Sequence, residues 1–155
     1  EEPYNISMYL FDYLGNQAAN WDTRILATDI SAQALASAQK GVYELPDNMP
    51  AAWKKKYFRP QQDGSWMVTP QVKQNVIFRT FNLMDPIQFK RKFDVIFCRN
   101  VMIYFDQPTK DALVRRFYNA TLPGGYFLIS YSENLSANTP YARIAPATYQ
   151  KRGER

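Results

Sequence analysis

Residues 93–100 read Phe-Asp-Val-Ile-Phe-Cys-Arg-Asn, an almost continuous apolar run that ends on a cation and an amide. Runs of this kind are typical of parallel strands that are covered on both faces. Asp106 and Pro108 then predict the start of a helix that Pro123-Gly124-Gly125 ends, and a second apolar strand follows at residues 126–131. This order of strand, helix and strand predicts a parallel βαβ unit.

The first half of the chain repeats the alternation. Apolar residues at helical spacing predict a helix over residues 3–15, and residues 23–29 form a short apolar run that ends on Asp29. A second helix is predicted over residues 32–40, with Ser31 as its N-cap and Gly41 at its end. Together with a strand at 76–80, these segments predict an α/β fold with a parallel sheet and helices on both of its faces.

Residues 44–75 interrupt this pattern. A short helix is predicted at 51–57, and Asp63-Gly64 predicts a hairpin between Phe58 and Trp66. Val72 is expected to continue the β character. We therefore predict a small antiparallel insertion here, and a final strand within residues 141–151.

Composition excludes several classes of catalyst. The 155 residues fit one domain, and 46% of them are hydrophobic. The chain has 0 His, which excludes Ser–His–Asp and Cys–His catalysis and His-based zinc sites. Its 1 Cys, Cys98, excludes an internal disulfide and a Cys-rich metal site, so we predict no metal.

Hydropathy predicts the cellular location of the protein, whereas its charge leaves several classes of binding partner open. No apolar run approaches the roughly 20 residues that cross a bilayer, and no signal peptide is visible, so we predict a cytoplasmic protein without membrane insertion. The net charge of +5 permits nucleic acid, an anionic membrane surface or an acidic protein as partner. The basic runs 54–56 and 90–92 are either solvated faces or sites that steer an acidic partner.

Candidate functional residues follow the predicted strands, because ligands of such sheets bind at the carboxyl ends of the strands. Asp29 could accept ribose hydroxyls or assist helix capping. Asn82 could bind an adenine edge with Leu83 on its face, or form a turn beside a core leucine. Arg99 follows a third predicted strand, and it could be either a site residue or an ordinary surface arginine. We expect these loops to line one cleft.

Five segments carry a resemblance to a known family. They are residues 1–6, Ala27-Thr28-Asp29-Ile30-Ser31, Asn82-Leu83, Arg99 to Phe105 and Tyr131-Ser132-Glu133-Asn134. In this order the sequence resembles the CheR-type chemotaxis receptor glutamate methyltransferases of bacteria. The resemblance implies a Rossmann-like methyltransferase domain over residues 1–155, with an inserted β-subdomain at about 44–75. It also implies transfer of a methyl group from S-adenosylmethionine to receptor glutamates, with S-adenosylhomocysteine as product.

The same resemblance implies roles for seven residues. These are Glu2, Cys98 and Arg99 near the methionyl part of the cofactor, Asp29 at the ribose, Asn82 and Leu83 at the adenine, and Tyr104, which with Arg99 is implied as catalytic. Chemotaxis receptors are the implied partners, bound through the β-subdomain. Because the loop 59–64 is short and has a single glycine, we expect no tethering to a receptor pentapeptide. The sequence has no basic stripe interleaved with aromatic residues, so we expect no nucleic-acid partner.

The chain begins on Glu1, immediately before a predicted helix. The family's helical domain, first strand and glycine-containing loop have no counterpart in these residues, so we expect an N-terminal truncation and weak or no cofactor binding by the 155 residues alone. Two alternatives are a non-enzymatic module that binds receptors or regulators, and a methyltransferase for another substrate such as RNA or a small molecule. The presence of Asp29, Arg99 and Tyr104 favours an enzyme.

Overall fold

The computed structural model describes residues 1–153. Their helices and strands fall in two units, divided after Asn82. The helices are α1 (Glu2–Leu14), α2 (Ala32–Lys40), α3 (Ala51–Tyr57), α4 (Pro70–Lys73) and α5 (Gln107–Ala120), with 3₁₀ turns at Gly15–Asn20 and Met102–Tyr104. The strands are β1 (Ile25–Asp29), β2 (Val42–Tyr43), β3 (Phe58–Pro60), β4 (Trp66–Val68), β5 (Val76–Thr80), β6 (Phe93–Phe97), β7 (Thr121–Leu128), β8 (Ala142–Ala145) and β9 (Thr148–Gln150). Within residues 1–153, no helix has both the length and the apolar character needed to cross a membrane.

In the first unit, β1 and β5 form a parallel pair in which Ile25 lies opposite Val76 and Asp29 opposite Thr80. α1 buries Tyr4 and Met8 in the core of this unit. Because the pairing is parallel, both strands end at the same edge, and Asp29 stands at that edge.

Local signals fix α2 as predicted. The Ser31 hydroxyl accepts a hydrogen bond from the Ala34 backbone N–H at 3.2 Å, which satisfies one donor of the first turn. Gly41 ends the helix in the left-handed region, at φ +62°. A Cβ at Gly41 would lie 3.3 Å from the Tyr4 hydroxyl, so both backbone and space favour glycine.

The predicted hairpin is present in a small antiparallel sheet in which β4 lies between β2 and β3. The Asp63 carboxylate accepts hydrogen bonds from the Ser65 N–H at 3.0 Å and hydroxyl at 2.6 Å, and Gly64 has φ +85°. The expectation for Val72 is wrong, because it lies in the short helix α4. Pro70 begins that helix, as proline at a first turn often does.

In the second unit, α5 connects the parallel strands β6 and β7, which confirms the predicted βαβ order. One boundary differs from prediction. β7 already begins at Thr121 and runs through the Pro-Gly-Gly segment, which we expected only to stop the helix. A Cβ at Gly125 would lie 2.8 Å from the Asp94 carbonyl oxygen, so glycine permits this close approach to β6.

The predicted final strand is a hairpin. β8 and β9 pair with each other, and β9 also pairs with β7, so the sheet order is β6, β7, β9, β8. Between the two strands, Ala147 has φ +54°. The sequence does not predict this left-handed backbone, because alanine rarely adopts it.

The covering of β6 also departs from prediction. Ile96 and Cys98 pack with Phe127 and residues of α5 in the core of the second unit. Val95 and Phe97 point to the other face and remain 41% and 40% exposed. In the described part of the chain, β6 is therefore well covered on one face and partly open on the other, and the apolar run alone did not distinguish these cases.

Candidate functional site

The carboxyl edge of the β1–β5 pair holds two of the predicted site residues. The Phe81 backbone N–H donates to the Asp29 carbonyl oxygen at 3.1 Å, which continues the pairing beyond β5. Asn82 is the next residue along the chain. Parallel register therefore brings Asp29 and Asn82 to the same edge of this sheet.

The Asp29 carboxylate is exposed, and its orientation is set locally. Its Oδ1 accepts a hydrogen bond from the Ser31 backbone N–H at 2.8 Å. Ser31, and not Asp29, provides the side-chain cap of α2. A carboxylate can accept several hydrogen bonds, so this contact leaves acceptor capacity for a ligand's hydroxyl groups.

Glu2 lies in the first turn of α1, whose position is fixed two residues later. The Tyr4 hydroxyl donates to the Ala38 carbonyl oxygen at 2.8 Å and so ties α1 to the end of α2. Burial raises the pKa of Tyr4 to about 12, which keeps this hydroxyl protonated as a donor. The start of α1 is thus held against the helix that follows β1.

In the second unit, Leu83 and Cys98 share a core. Cys98 is buried, and its backbone N–H donates to the Leu128 carbonyl oxygen at 2.9 Å, beyond the end of β6. Leu83 packs against the core cluster that contains Cys98. Cys98 is therefore a packed residue at the end of its strand, as expected for a thiol with no histidine to activate it.

Asn100 turns the chain sharply after β6. Its backbone has φ +58°, a left-handed conformation that asparagine tolerates better than most residues. The buried Ser130 hydroxyl accepts a hydrogen bond from the Asn100 N–H at 2.7 Å and donates to the Asn100 side-chain oxygen. Two contacts from one side chain thus hold the residue that follows Arg99.

Arg99 and Tyr104 flank this turn with accessible side chains. Arg99 is exposed, and Tyr104 is 80% exposed at the end of the 3₁₀ turn Met102–Tyr104. Met102 is buried in the core of the second unit and anchors the turn. A fixed backbone therefore presents a planar cationic donor and a phenol to the surroundings.

The predicted residues fall in both units. Glu2, Asp29 and Asn82 belong to the first unit, and Leu83, Cys98, Arg99 and Tyr104 belong to the second. Among residues 1–153, no group of three or more His, Cys, Asp or Glu side chains is arranged to hold a metal ion.

Sequence reasoning missed the role of Ser130, which it treated only as part of an apolar strand. The available signal was Asn100 itself, because an asparagine directly after a strand is a frequent left-handed residue. Nothing local indicates that its partner lies 30 residues away along the chain.

Comparison with known proteins identifies the family. Residues 1–151 match the family described as CheR methyltransferase, SAM binding domain. The chain is 42% identical to the chemotaxis protein methyltransferase of Borreliella burgdorferi, over 97% of this chain and 54% of that protein. It is 37% identical to a probable chemotaxis protein methyltransferase of Rhizobium etli, over 97% of this chain and 58% of the relative. For the chemotaxis protein methyltransferase of Escherichia coli, the identity is 37% over 88% of this chain and 49% of that protein.

The chain spans about half the length of the curated relatives it matches. The match nevertheless includes every strand and helix described above, together with the residues at the ends of β1, β5 and β6. The chain therefore belongs to the CheR methyltransferase family, whose S-adenosylmethionine-binding domain it matches.

Proposed function

We propose that this protein transfers a methyl group from S-adenosylmethionine to glutamate side chains of chemotaxis receptors. The observation that carries the proposal is the family match over residues 1–151, together with relatives that are named chemotaxis protein methyltransferases. The exposed side chains of Arg99 and Tyr104, which flank the turn that Ser130 holds at Asn100, support the proposal at the positions that the family resemblance implies as catalytic.

The residues at the strand ends suit this cofactor chemically. Asp29 has acceptor capacity for ribose hydroxyls, and Asn82 has both a donor and an acceptor for an adenine edge. Leu83 offers an apolar surface to the base. Glu2, Cys98 and Arg99 are the residues proposed for the methionyl part. When bound, S-adenosylmethionine supplies a methyl group that its sulfonium already activates for transfer.

The nucleophile needs no activation by the enzyme. A glutamate carboxylate has an unperturbed pKa of about 4.3 and is ionised at neutral pH. One carboxylate oxygen forms the new bond to the methyl carbon as the carbon–sulfur bond breaks, and no proton has to be removed. A chain without histidine is therefore suited to this reaction.

The chain must therefore position the two reactants and exclude water from them. Orientation of two reactants can lower a barrier by roughly 7–11 kcal/mol. The Arg99 guanidinium has the planar pair of donors that matches a carboxylate, so we assign to it the orientation of the incoming glutamate. Tyr104 is assigned to the exclusion of water beside the reacting oxygen.

The proposed fold is a Rossmann-like methyltransferase sheet with an inserted β-subdomain at about residues 44–75. The parallel pairs β1–β5 and β6–β7 support the first part, since doubly wound sheets consist of such pairs. The antiparallel sheet of β2, β3 and β4, which interrupts the chain between β1 and β5, supports the second.

The β-subdomain is the proposed receptor contact. Lys54 lies over the Trp66 ring, with its Nζ 4.1 Å from the ring centroid, and Lys56 forms an ion pair with Asp12. Exposed Lys55 lies between them in sequence, so the surface of α3 is cationic and suits an acidic partner. The short turn closed by Asp63 and Ser65 supports binding without pentapeptide tethering.

The test is a chimeric enzyme in which this chain replaces the matching region of the Borreliella burgdorferi relative. Incubation with S-adenosylmethionine labelled in the methyl group, and with chemotaxis receptors in membranes, should label the receptors. Mild alkali should release the label as methanol, because the product is a carboxyl methyl ester. Label that is stable to alkali, or that enters added RNA instead of receptor, would contradict the proposal.

A further inference from the structure

The second unit contains a cleft that none of the residues discussed above as cofactor contacts lines. It lies between the 3₁₀ turn Met102–Tyr104, the first half of α5 and residues 132–139, and has a volume of about 220 Å³. A single water needs only about 10–15 Å³ of such volume, so the cleft can hold a small organic group.

A buried carboxylate marks this cleft as a polar binding site. Glu133 lines it and is 8% exposed. The Oε2 atom of Glu133 accepts a long hydrogen bond from the Ser130 N–H at 3.4 Å. Its Oε1 atom is buried and has no hydrogen-bond partner among residues 1–153. Buried polar atoms are nearly always paired in folded proteins, so this oxygen indicates a missing donor.

The other charges of the lining favour a cationic donor. Asp111 adds a second carboxylate, whose Oδ1 accepts a hydrogen bond from the Gln107 amide at 2.8 Å. Lys110 is the cation of the lining, so two carboxylates face one ammonium group. A further cation would bring the charges of the cleft into balance.

The remaining walls fit an aliphatic stem. Met102, Ile103, Val114 and Leu135 contribute apolar surface to the same cleft. Basic side chains and alkyl amines combine an apolar stem with a cationic end, and they bury the stem against surfaces of this kind.

We infer that this cleft binds an alkylammonium or alkylguanidinium group, which pairs with the Glu133 carboxylate. The stem of the ligand packs against Ile103 and Leu135. The inference goes beyond methyl transfer, since it assigns a separate ligand to residues outside the proposed cofactor and catalytic set.

The test is a titration of the 155-residue chain, labelled with ¹⁵N, with n-butylguanidinium and n-butylammonium, followed by amide chemical shifts. Saturable shifts should centre on residues 132–139 and on Ile103, with at least one of the two cations. The neutral analogue n-butylurea should bind at least tenfold more weakly. Equal binding of the urea would show that water or any neutral donor suffices, and would overturn the inference.

Variants locate the effect without relying on enzymatic activity. Glu133→Gln should weaken binding of the cation at least tenfold, whereas Asp85→Asn, a change at an exposed carboxylate outside the lining, should leave it unchanged. Lys110→Gln removes the competing ammonium group and should tighten binding at least twofold. If Glu133→Gln fails to fold, Lys110→Gln tests the inference by itself. Unchanged or weaker binding of the cation by Lys110→Gln would overturn the inference. Methyl transfer enters none of these measurements, so their failure leaves the proposed function standing.

Discussion

The loops after β1 and β6 present charged side chains in two different ways. After β1, Asp29 is oriented by the N–H of Ser31, two residues away, and Ser31 caps the helix that follows. After β6, Arg99 precedes Asn100, whose left-handed backbone is held by Ser130, two residues beyond the end of β7. The first loop is a local structure, and the second depends on the packing of the second unit.

This difference has a consequence for mutation. A local loop keeps its shape as long as its own backbone donors remain. A loop held from a distance changes when its single partner changes, even though that partner is buried and far away in sequence. Substitutions near Arg99 should therefore affect catalysis more than equivalent substitutions near Asp29.

The largest expected effect is at Arg99. In the chimeric enzyme, Arg99→Ala should lower methyl transfer by at least about 100-fold, since loss of one donor to a reacting group has effects of this size. Its thermal unfolding should change little, because substitutions of exposed side chains usually alter stability by no more than about 0.5 kcal/mol. Arg99→Lys keeps the charge without the planar donors and should remain strongly impaired. The matched control is Arg115→Ala on exposed α5 surface, and equal activity of Arg99→Ala and Arg115→Ala would refute the role.

The next largest effect is expected at Ser130, the hydrogen-bond partner of Asn100. Ser130→Ala removes both hydrogen bonds to Asn100, and should lower stability by about 1–3 kcal/mol, measured by urea unfolding. Because the turn then loses its position, methyl transfer should fall by about tenfold. Asn100→Gly keeps the left-handed backbone available and should retain more activity than Ser130→Ala. Wild-type turnover in a folded Ser130→Ala enzyme would show that the turn needs no such support.

A smaller effect is expected in the local loop. Ser31→Ala removes the cap of α2 and should lower the free energy of unfolding by about 1 kcal/mol. The bond to Asp29 comes from the backbone N–H and survives, so methyl transfer should stay near the wild-type rate. Ser37→Ala, on the exposed surface of the same helix, is the control and should be neutral or slightly stabilising. A large loss of turnover in Ser31→Ala would remove the contrast between the two loops.

The smallest effect concerns pH. The Asp106 carboxylate caps α5 by accepting a hydrogen bond from the Thr109 backbone N–H at 3.0 Å, and hydrogen bonds from the Thr109 side chain and backbone lower the pKa of Asp106 in the folded state. The stabilisation is complete above the unfolded pKa of about 3.9 and is lost as pH falls through the folded value. Asp106→Asn keeps an acceptor that does not titrate. The stability difference between the two proteins should be constant near neutral pH and change only in acid, and a change between pH 6 and pH 8 would contradict this assignment.

The same contrast explains what could be predicted from sequence. Both ends of α2, the end of β1 on Asp29 and the cap of α5 follow from residues within a few positions of one another. The early start of β7 depends on the close approach of Gly125 to β6, and the turn at Asn100 depends on Ser130. These features arise from pairing between distant segments, which a local pattern does not contain.

The candidate site divides in the same way. Asp29, Asn82 and Arg99 could be named because each follows an apolar run that marks a strand end. The Glu133 oxygen that lacks a hydrogen-bond partner among residues 1–153 could not be anticipated, since its burial depends on the fold around it. The sequence predicted which side chains lie at the ends of strands. It did not predict which polar groups those side chains contact.

Calorimetric titration of the chimeric enzyme with S-adenosylhomocysteine tests whether the loops after β1 and β6 bind the cofactor. We expect Asp29→Ala and Arg99→Ala each to raise the dissociation constant by at least about tenfold, the effect of losing a hydrogen bond to a charged group. Arg115→Ala should bind as the wild type does. Unchanged affinity in both Asp29→Ala and Arg99→Ala would show that the loops after β1 and β6 do not bind the cofactor, and would contradict the account.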